Sequence, residues 1–164
     1  MAVSFNESVI KEFEDIARRY TDRRATLLPA LWLAMREFRY ISTEVMQYIA
    51  ELVQVPYTRV YEVVEFYTMF LTNKPGKYHL QVCQTLSCQL RGSDELKEFI
   101  ETRLGLENGA CTPDGLFSYQ QVECLGSCHT APVVQVNDDF HENLDVPKLE
   151  ALLEKLKKGE VQRG

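Results

Sequence analysis

Four of the five cysteines in this 164-residue chain stand in two closely spaced pairs. Cys83 and Cys88 enclose the sequence QTLS, and Cys124 and Cys128 enclose LGS, with 35 residues between the two pairs. Thiolates are strong ligands for zinc and for iron–sulfur clusters, and both kinds of centre can take four of them. If the fold brings the two pairs together, the chain can hold a metal ion or a cluster.

Four interpretations of these cysteines compete: a [2Fe–2S] cluster, a structural zinc ion, two disulfides, or small buried apolar side chains. Disulfides are disfavoured by the odd number of cysteines and by the expected cytoplasmic setting. Four cysteines in two tight pairs are too many for simple core packing. Zinc loops favour two residues between ligands, whereas the four residues inside the first pair match plant-type ferredoxins. The spacing therefore favours the cluster and leaves zinc open.

Each pair follows a predicted strand, so a sheet would position the thiols. The alternation in YHLQVC predicts a half-buried strand over 78–83, and LFSYQQVEC predicts a second strand that ends at Cys124. Because the ends of neighbouring strands meet at one edge of a sheet, the two pairs are expected to converge there. The other predicted elements are a helix over 92–106, a TPDG turn, a strand in APVVQVN, a turn in NDDF that leads into a short fourth strand, and a closing helix over 146–156. This order predicts a thioredoxin-like α/β sandwich.

The first 73 residues show helical periodicity instead. Four helices are predicted: one over 7–20, one in LLPALWLAMREF, one capped by Ser42 or Thr43, and one that starts near Pro56. Joined by short loops, they predict a four-helix bundle with Trp32 packed inside. The predicted fold class is therefore α+β, with a helical bundle over 1–74 and a thioredoxin-like α/β domain over 75–164.

Charge and hydropathy exclude several classes of function. The net charge is −6, and residues 78–164 carry all of it, so nucleic acid is a poor partner. No apolar run approaches the roughly 18 residues of a membrane span, and the N-terminal sequence lacks the basic start and apolar core of a signal peptide. We expect a cytoplasmic protein with no nucleic-acid partner and no direct membrane insertion. The aromatic stretch EFYTMF is typical of core packing or of a partner interface.

Four stretches, taken in chain order, resemble one known family: EFYTMF, CQTLSCQLRG, TPDGLF and ECLGSCHTAPVVQVNDD. They resemble the small [2Fe–2S] subunit of NADH:quinone oxidoreductase, respiratory complex I (the NuoE or 24-kDa subunit family). The resemblance covers about residues 8–156. It implies that Cys83, Cys88, Cys124 and Cys128 are the ligands of one [2Fe–2S] cluster.

The resemblance also implies a function. The cluster would exchange single electrons with the flavin of an adjacent NADH-binding subunit, which would hold the FMN and the NADH. This chain shows neither G-x-G-x-x-G nor G-x-x-x-x-G-K-[ST], the usual nucleotide motifs. Other subunits of the peripheral arm would be further partners, on the cytoplasmic side of a bacterial inner membrane. The chain alone would be an electron carrier and not a complete enzyme.

Several alternatives stay open at this point. Related subunits occur in NAD-linked hydrogenases and formate dehydrogenases, so the parent enzyme is undecided. A zinc-stabilised thioredoxin-like interaction domain is the alternative from a different class, and a disulfide redox sensor is disfavoured because no C-x-x-C is present. Cys111 departs from the family pattern and is interpreted as a free thiol. His129 follows Cys128 but is not expected to be a ligand, because four cysteines already fill the site.

Overall fold

The structure of the chain is a computed structural model that describes residues 3–159. The chain divides into two compact units. The first, here called the helical unit, ends at Lys74, and the second, the sheet unit, begins at Pro75. No helix in the described part of the chain is long and apolar enough to cross a membrane.

Four α-helices make up the helical unit, with a 3-10 turn over Arg23–Thr26 after the first. The helices are α1 (Glu7–Ala17), α2 (Leu27–Phe38), α3 (Thr43–Val53) and α4 (Tyr57–Phe66). The side chain of Asn6 accepts the backbone N–H of Val9 at the start of α1, and Ser42 caps α3 in the same way. These caps satisfy N–H groups that a helix start leaves without a partner. α1 ends three residues earlier than predicted, and α4 stops before Tyr67.

The core of the helical unit lies on one stripe of each helix. Phe13, Leu31 and Ile49 are completely buried in it. The prediction that Trp32 packs inside is wrong, because its side chain is 53% exposed, although its ring makes a T-shaped contact with Phe70. The buried positions of α2 are 27, 30, 31, 33 and 34, which lie on one side of the helix. With about 3.6 residues per turn, position 32 lies on the opposite side.

The sheet unit is a mixed α/β structure. Its elements are β1 (Tyr78–Cys83), α5 (Leu86–Leu90), α6 (Ser93–Leu104), β2 (Phe117–Val122), β3 (Val134–Val136), β4 (Asp139–His141) and α7 (Val146–Lys158). The strand order in the sheet is β2-β1-β3-β4. β1 and β2 run parallel, whereas β3 is antiparallel to both β1 and β4. A parallel pair needs a crossover, and α5 and α6 supply it between β1 and β2.

β1 is the central strand, and both of its faces are covered. Leu80 and Val82 pack into the main core with residues of α6 and α7. On the other face, His79 and Cys83 are also buried, at 9% and 1% exposure. The prediction of a half-buried strand is therefore wrong for β1. The alternating residues of β1 face two different buried environments. One face is apolar, and the other carries a histidine and a thiol.

Candidate metal centre

The first cysteine pair is held by regular secondary structure. Cys83 is the last residue of β1, and Cys88 lies in the short helix α5. Both side chains are only 1% exposed and pack with Ala131 in a small cluster. Thr85 precedes α5, and its carbonyl accepts the backbone N–H groups of Cys88 and Gln89. The backbone of the pair is therefore fixed at both cysteines.

The second pair lies on an exposed loop. β2 ends at Val122, two residues before Cys124, so the prediction that Cys124 ends the strand is wrong by that distance. Cys124 and Cys128 are both exposed, and their sulfur atoms are 3.5 Å apart. The backbone N–H of Gly126 donates to the Cys124 sulfur at 3.4 Å. This turn uses a φ of +83° at Gly126, a conformation that glycine adopts without steric cost.

The register of the sheet explains why the two pairs meet. Cys83 pairs with Val122 at the ends of the parallel strands β1 and β2. The segments that follow β1 and β2 therefore leave the sheet at the same edge and in the same direction. The backbone N–H of Leu125, in the second loop, acts as a hydrogen-bond donor to the Cys83 thiol of the first pair. The convergence predicted from the sequence is thus present.

Within each pair the two thiols differ in acidity. Burial raises the pKa of Cys88 to about 11, and its hydrogen bond with Cys83 adds to the shift. Burial also acts to raise the pKa of Cys83, but hydrogen bonds from Thr85, Leu125 and Cys88 outweigh it and lower the pKa. The Gly126 N–H and the Cys128 thiol lower the pKa of Cys124. In each pair, one thiol is therefore more acidic than the other: Cys83 more than Cys88, and Cys124 more than Cys128.

The sulfurs also interact between the pairs. The hydrogen bond and the charge of Cys124 raise the pKa of Cys128, and the charge of Cys83 adds to this effect. After burial and its bond with Cys83, Cys88 responds in the same way to the charge of Cys128. Charges influence each other strongly only at short range or in a dry environment. The thiols of the two pairs therefore lie close enough for their charges to interact.

The arrangement of the donors fits a dinuclear cluster. The thiols are grouped as two pairs, and the two sulfur atoms of the second pair are 3.5 Å apart. A [2Fe–2S] cluster takes two thiolates on each of its two irons. A structural zinc ion instead takes four ligands in a tetrahedron around one centre. Two pairs of thiols at one edge of the sheet match the cluster.

A hydrogen-bonded network holds the second loop to the end of β4. The hydroxyls of Ser127 and Thr130 both donate to the carboxylate of Glu142, the latter at 2.7 Å. These bonds lower the pKa of Glu142. The backbone N–H of Asn143 also donates to the Thr130 carbonyl at 2.7 Å. Sequence analysis did not find this network, because Glu142 is 15 residues from Ser127 and carries no motif.

Cys111 and the three histidines were not predicted as ligands. Cys111 is exposed and its backbone bridges to Ser118, near the start of β2. Since the site lies beyond the other end of β2, about 13 Å separates Ser118 from Val122 along the strand. His79 is also near Ser118, with its Nδ1 2.8 Å from the serine hydroxyl. His129 lies in the 3-10 turn over Cys128–Thr130, and His141 ends β4.

Comparison with known proteins identifies the fold and the relatives. The family model described as thioredoxin-like [2Fe-2S] ferredoxin matches residues 13–157. One subunit of the NADH-quinone oxidoreductase of Rhizobium meliloti (strain 1021) is 45% identical over 150 residues, which cover 92% of this chain and 89% of that protein. A subunit of the NADH-quinone oxidoreductase of Rickettsia bellii (strain RML369-C) is 41% identical over 157 residues, with 94% of each chain covered.

A solved structure supports the fold. One chain of an NAD+-reducing [NiFe]-hydrogenase in the H2-reduced state matches with a TM-score of 0.72 at 21% identity over 81% of this chain. This chain spans only 22% of the length of that hydrogenase chain. The matching family is that of a [2Fe–2S] ferredoxin, in agreement with the predicted cofactor, and the relatives confirm the resemblance drawn from the sequence motifs. The chain belongs to the thioredoxin-like [2Fe–2S] ferredoxin family.

Proposed function

We propose that this chain is the electron-transfer subunit of an NADH:quinone oxidoreductase and holds one [2Fe–2S] cluster on Cys83, Cys88, Cys124 and Cys128. The observation that carries the proposal is the meeting of two thiol pairs at one sheet edge. The relatives named as subunits of NADH-quinone oxidoreductase, with identities of 45% and 41% over most of the chain, support the parent enzyme. When bound, such a cluster accepts and returns one electron at a time.

The residues around the thiols suit this role. Cys83 and Cys88 provide a buried anchor, and the exposed second pair leaves the centre open toward the surface. Beside it, α5 presents Leu86 and Leu90, which are 68% and 78% exposed. An exposed apolar rim is typical of a surface that another protein covers. Electrons would therefore pass through the side of the sheet unit that carries the second pair and α5.

The partner in this proposal is the flavin-containing subunit that binds NADH. It would hold the FMN and the NADH. The helical unit offers a second apolar surface, where Trp32, Phe66 and Met69 are 53%, 77% and 46% exposed. Phe66 and Met69 belong to the stretch EFYTMF, and their exposure supports the interface interpretation over core packing. Phe70 of the same stretch is buried, so the stretch serves both purposes.

Three further parts of the interpretation belong to the same proposal. The helical unit is a four-helix bundle. The helical unit and the sheet unit are separate domains, over 1–74 and 75–164. The chain also sits in the peripheral arm of the complex, on the cytoplasmic side of the membrane, beside other subunits of that arm.

A second candidate is the equivalent subunit or domain of an NAD-linked hydrogenase. The similarity of fold to part of an NAD+-reducing hydrogenase chain favours it. Purification of the tagged chain from its own cells separates the two. Co-purification of quinone-reducing NADH dehydrogenase activity supports the first proposal, and hydrogen-dependent NAD+ reduction supports the second.

The cluster itself is tested on the full chain purified without oxygen. We expect a brown protein with two irons and two sulfides per chain and a rhombic S = ½ EPR signal after reduction with dithionite. A colourless protein with one bound zinc ion would contradict the proposal. It would leave a zinc-stabilised interaction domain instead.

A further inference from the structure

Thr85 places a hydroxyl group directly on the proposed site. Its Oγ1 lies 3.2 Å from the sulfur of Cys83. Thr85 is held in place because its carbonyl accepts two N–H groups of α5, from Cys88 at 2.9 Å and from Gln89 at 3.0 Å. The hydroxyl is therefore part of the rigid side of the site.

The same hydroxyl acts on both cysteine pairs. After the Gly126 N–H and the Cys128 thiol, the Thr85 hydroxyl is the next group that lowers the pKa of Cys124. Cys83 and Cys124 belong to different pairs and so, in the proposed arrangement, to different irons. The contact of the Thr85 hydroxyl with the Cys83 sulfur, at 3.2 Å, is the one on which the inference stands.

A hydrogen-bond donor at this position has a predictable effect on the reduction potential of a bound cluster. Four thiolates make the bound centre negative, and adding one electron makes it more negative. A hydrogen bond to a charged acceptor is stabilising, and it stabilises the more negative state more. Since Cys83 is 1% exposed, water does not easily replace a lost donor there. Hydrogen bonds to the sulfurs are among the factors that set the potential of such clusters.

We propose that the Thr85 hydroxyl donates a hydrogen bond to the Cys83 sulfur in the cluster-bound chain and thereby raises the reduction potential of the cluster. Thr85 is a positioning residue, since it acts on the centre through a ligand. The inference rests on the proposed function, because it requires a cluster on these four cysteines. It adds Thr85 to the residues that set the reduction potential of the cluster.

The test compares the full chain with Thr85→Val, which keeps the shape and removes the hydroxyl, and with Thr85→Ser, which restores it. Thr112→Val is the matched control, because it removes a hydrogen-bonded hydroxyl in the TPDG turn, at the opposite end of β2. Each protein is titrated without oxygen with dithionite and mediator dyes, and EPR measures the reduced cluster. Dithionite is oxidised and supplies the one electron that reduces one iron of the cluster.

We expect the ratio of reduced to oxidised cluster in Thr85→Val to fall about three- to tenfold at a fixed ambient potential. A tenfold change in this ratio corresponds to about 59 mV for one electron. Thr85→Ser and Thr112→Val should stay within about twofold of the unmodified chain, as expected when the donor to Cys83 is kept.

Two outcomes would overturn the inference. One is a Thr85→Val protein that binds the cluster with the same potential as the unmodified chain. The other is a Thr85→Val protein and a Thr85→Ala protein that fold but bind no iron while Thr85→Ser binds it, since the hydroxyl would then serve assembly and not the potential. If the unmodified chain binds no cluster, the proposed function itself fails, and the two failures are therefore distinguishable.

Discussion

The two cysteine pairs have the same chemistry but opposite surroundings. Cys83 and Cys88 are buried and stand on a central strand and a helix. Cys124 and Cys128 are exposed and stand on a loop that a positive φ at Gly126 and side-chain bonds to Glu142 keep in shape. The first pair is therefore a buried anchor, and the second is an exposed closure that its turn and its bonds to Glu142 hold in place. In the proposed cluster site, this arrangement would combine precise placement with access for iron and for electrons.

The largest expected effect is on cluster assembly. We expect Cys83→Ser, Cys88→Ser, Cys124→Ser or Cys128→Ser each to weaken or abolish binding of the cluster, because a serine hydroxyl is a poor substitute for a thiolate ligand. The difference between the pairs should appear in the cluster-free proteins. Changes in the buried pair should also lower the unfolding temperature, whereas changes in the exposed pair should leave it nearly constant.

Cys111→Ser is the control for these variants, since Cys111 lies at the far end of β2. Iron content, visible spectra and thermal unfolding measure both effects. A bleached Cys111→Ser protein together with a brown variant at any of the other four positions would show that the ligands are wrongly assigned.

The rates at which the thiols react with an alkylating reagent test the difference between the buried and the exposed pair directly. In cluster-free, reduced protein near pH 8, iodoacetamide should modify Cys124 first, because it is exposed and its pKa is lowered. The pKa of Cys88 is about 11 instead of 9.0, which reduces its thiolate fraction about a hundredfold, and burial slows its reaction further. Mass spectrometry of the modified peptides gives the rates. Equal rates at Cys88 and Cys124 would remove the distinction between anchor and closure.

Two glycine substitutions separate the stability of the sheet from that of the loop. A Cβ at Gly76 would lie 2.5 Å from the backbone carbon of Phe117, so Gly76→Ala should destabilise the protein by about 3 kcal/mol. Gly126 has open space around it but a positive φ, so Gly126→Ala should cost only about 1 kcal/mol. Urea unfolding measures both costs. Release of iron to a chelator should be faster in Gly126→Ala, and the same rate as in the unmodified chain would contradict the role given to this loop.

The smallest effect is a pH dependence near the second pair. Burial lowers the pKa of His141, and the charge of Asp139 opposes this only in part. The folded state therefore binds the proton less tightly than the unfolded state does. The contribution of neutral His141 to stability is complete above its ordinary pKa of about 6.5 and is lost as the pH falls through the lower folded value.

The measurement is the urea midpoint at about pH 7.5 and about pH 5.5, on either side of the ordinary histidine pKa, in the unmodified chain and in His141→Gln. The unmodified chain should lose stability on acidification, and the variant should lose less. His129→Gln is a suitable control, since His129 lies in the exposed loop. An equal loss in the unmodified chain and in His141→Gln would show that burial of His141 does not cause the acid sensitivity.

The sequence was most informative where regular patterns and ligand chemistry coincide. The strands that lead to the two cysteine pairs, the order of elements in the sheet unit, and the cap at Ser42 all follow from local rules of periodicity and hydrogen bonding. The convergence of the two pairs could be predicted because each follows a strand. Thiolate chemistry and spacing favoured a [2Fe–2S] cluster and left zinc open, and the resemblance to a known family then implied the cofactor and its ligands.

What the sequence did not reveal depends on packing between distant segments. The exposure of Trp32 depends on which stripe of α2 faces the core, and the burial of both faces of β1 depends on what covers the sheet. The five residues of α5 are too few to show a helical period. The bonds of Thr85 to Cys83 and of Glu142 to the second loop join side chains that no sequence motif relates.

The position of β1 in the sheet has a consequence for how the backbone opens. β1 is bonded to β2 on one edge and to β3 on the other, so the amide groups that lead to Cys83 become accessible only when the sheet separates. The loop from Cys124 to Cys128 carries no such ladder. Amide hydrogen exchange should therefore be slow in β1, which leads to Cys83, and fast in the loop from Cys124 to Cys128. Exchange in the loop would then need only a local opening that leaves the β1 half of the site intact.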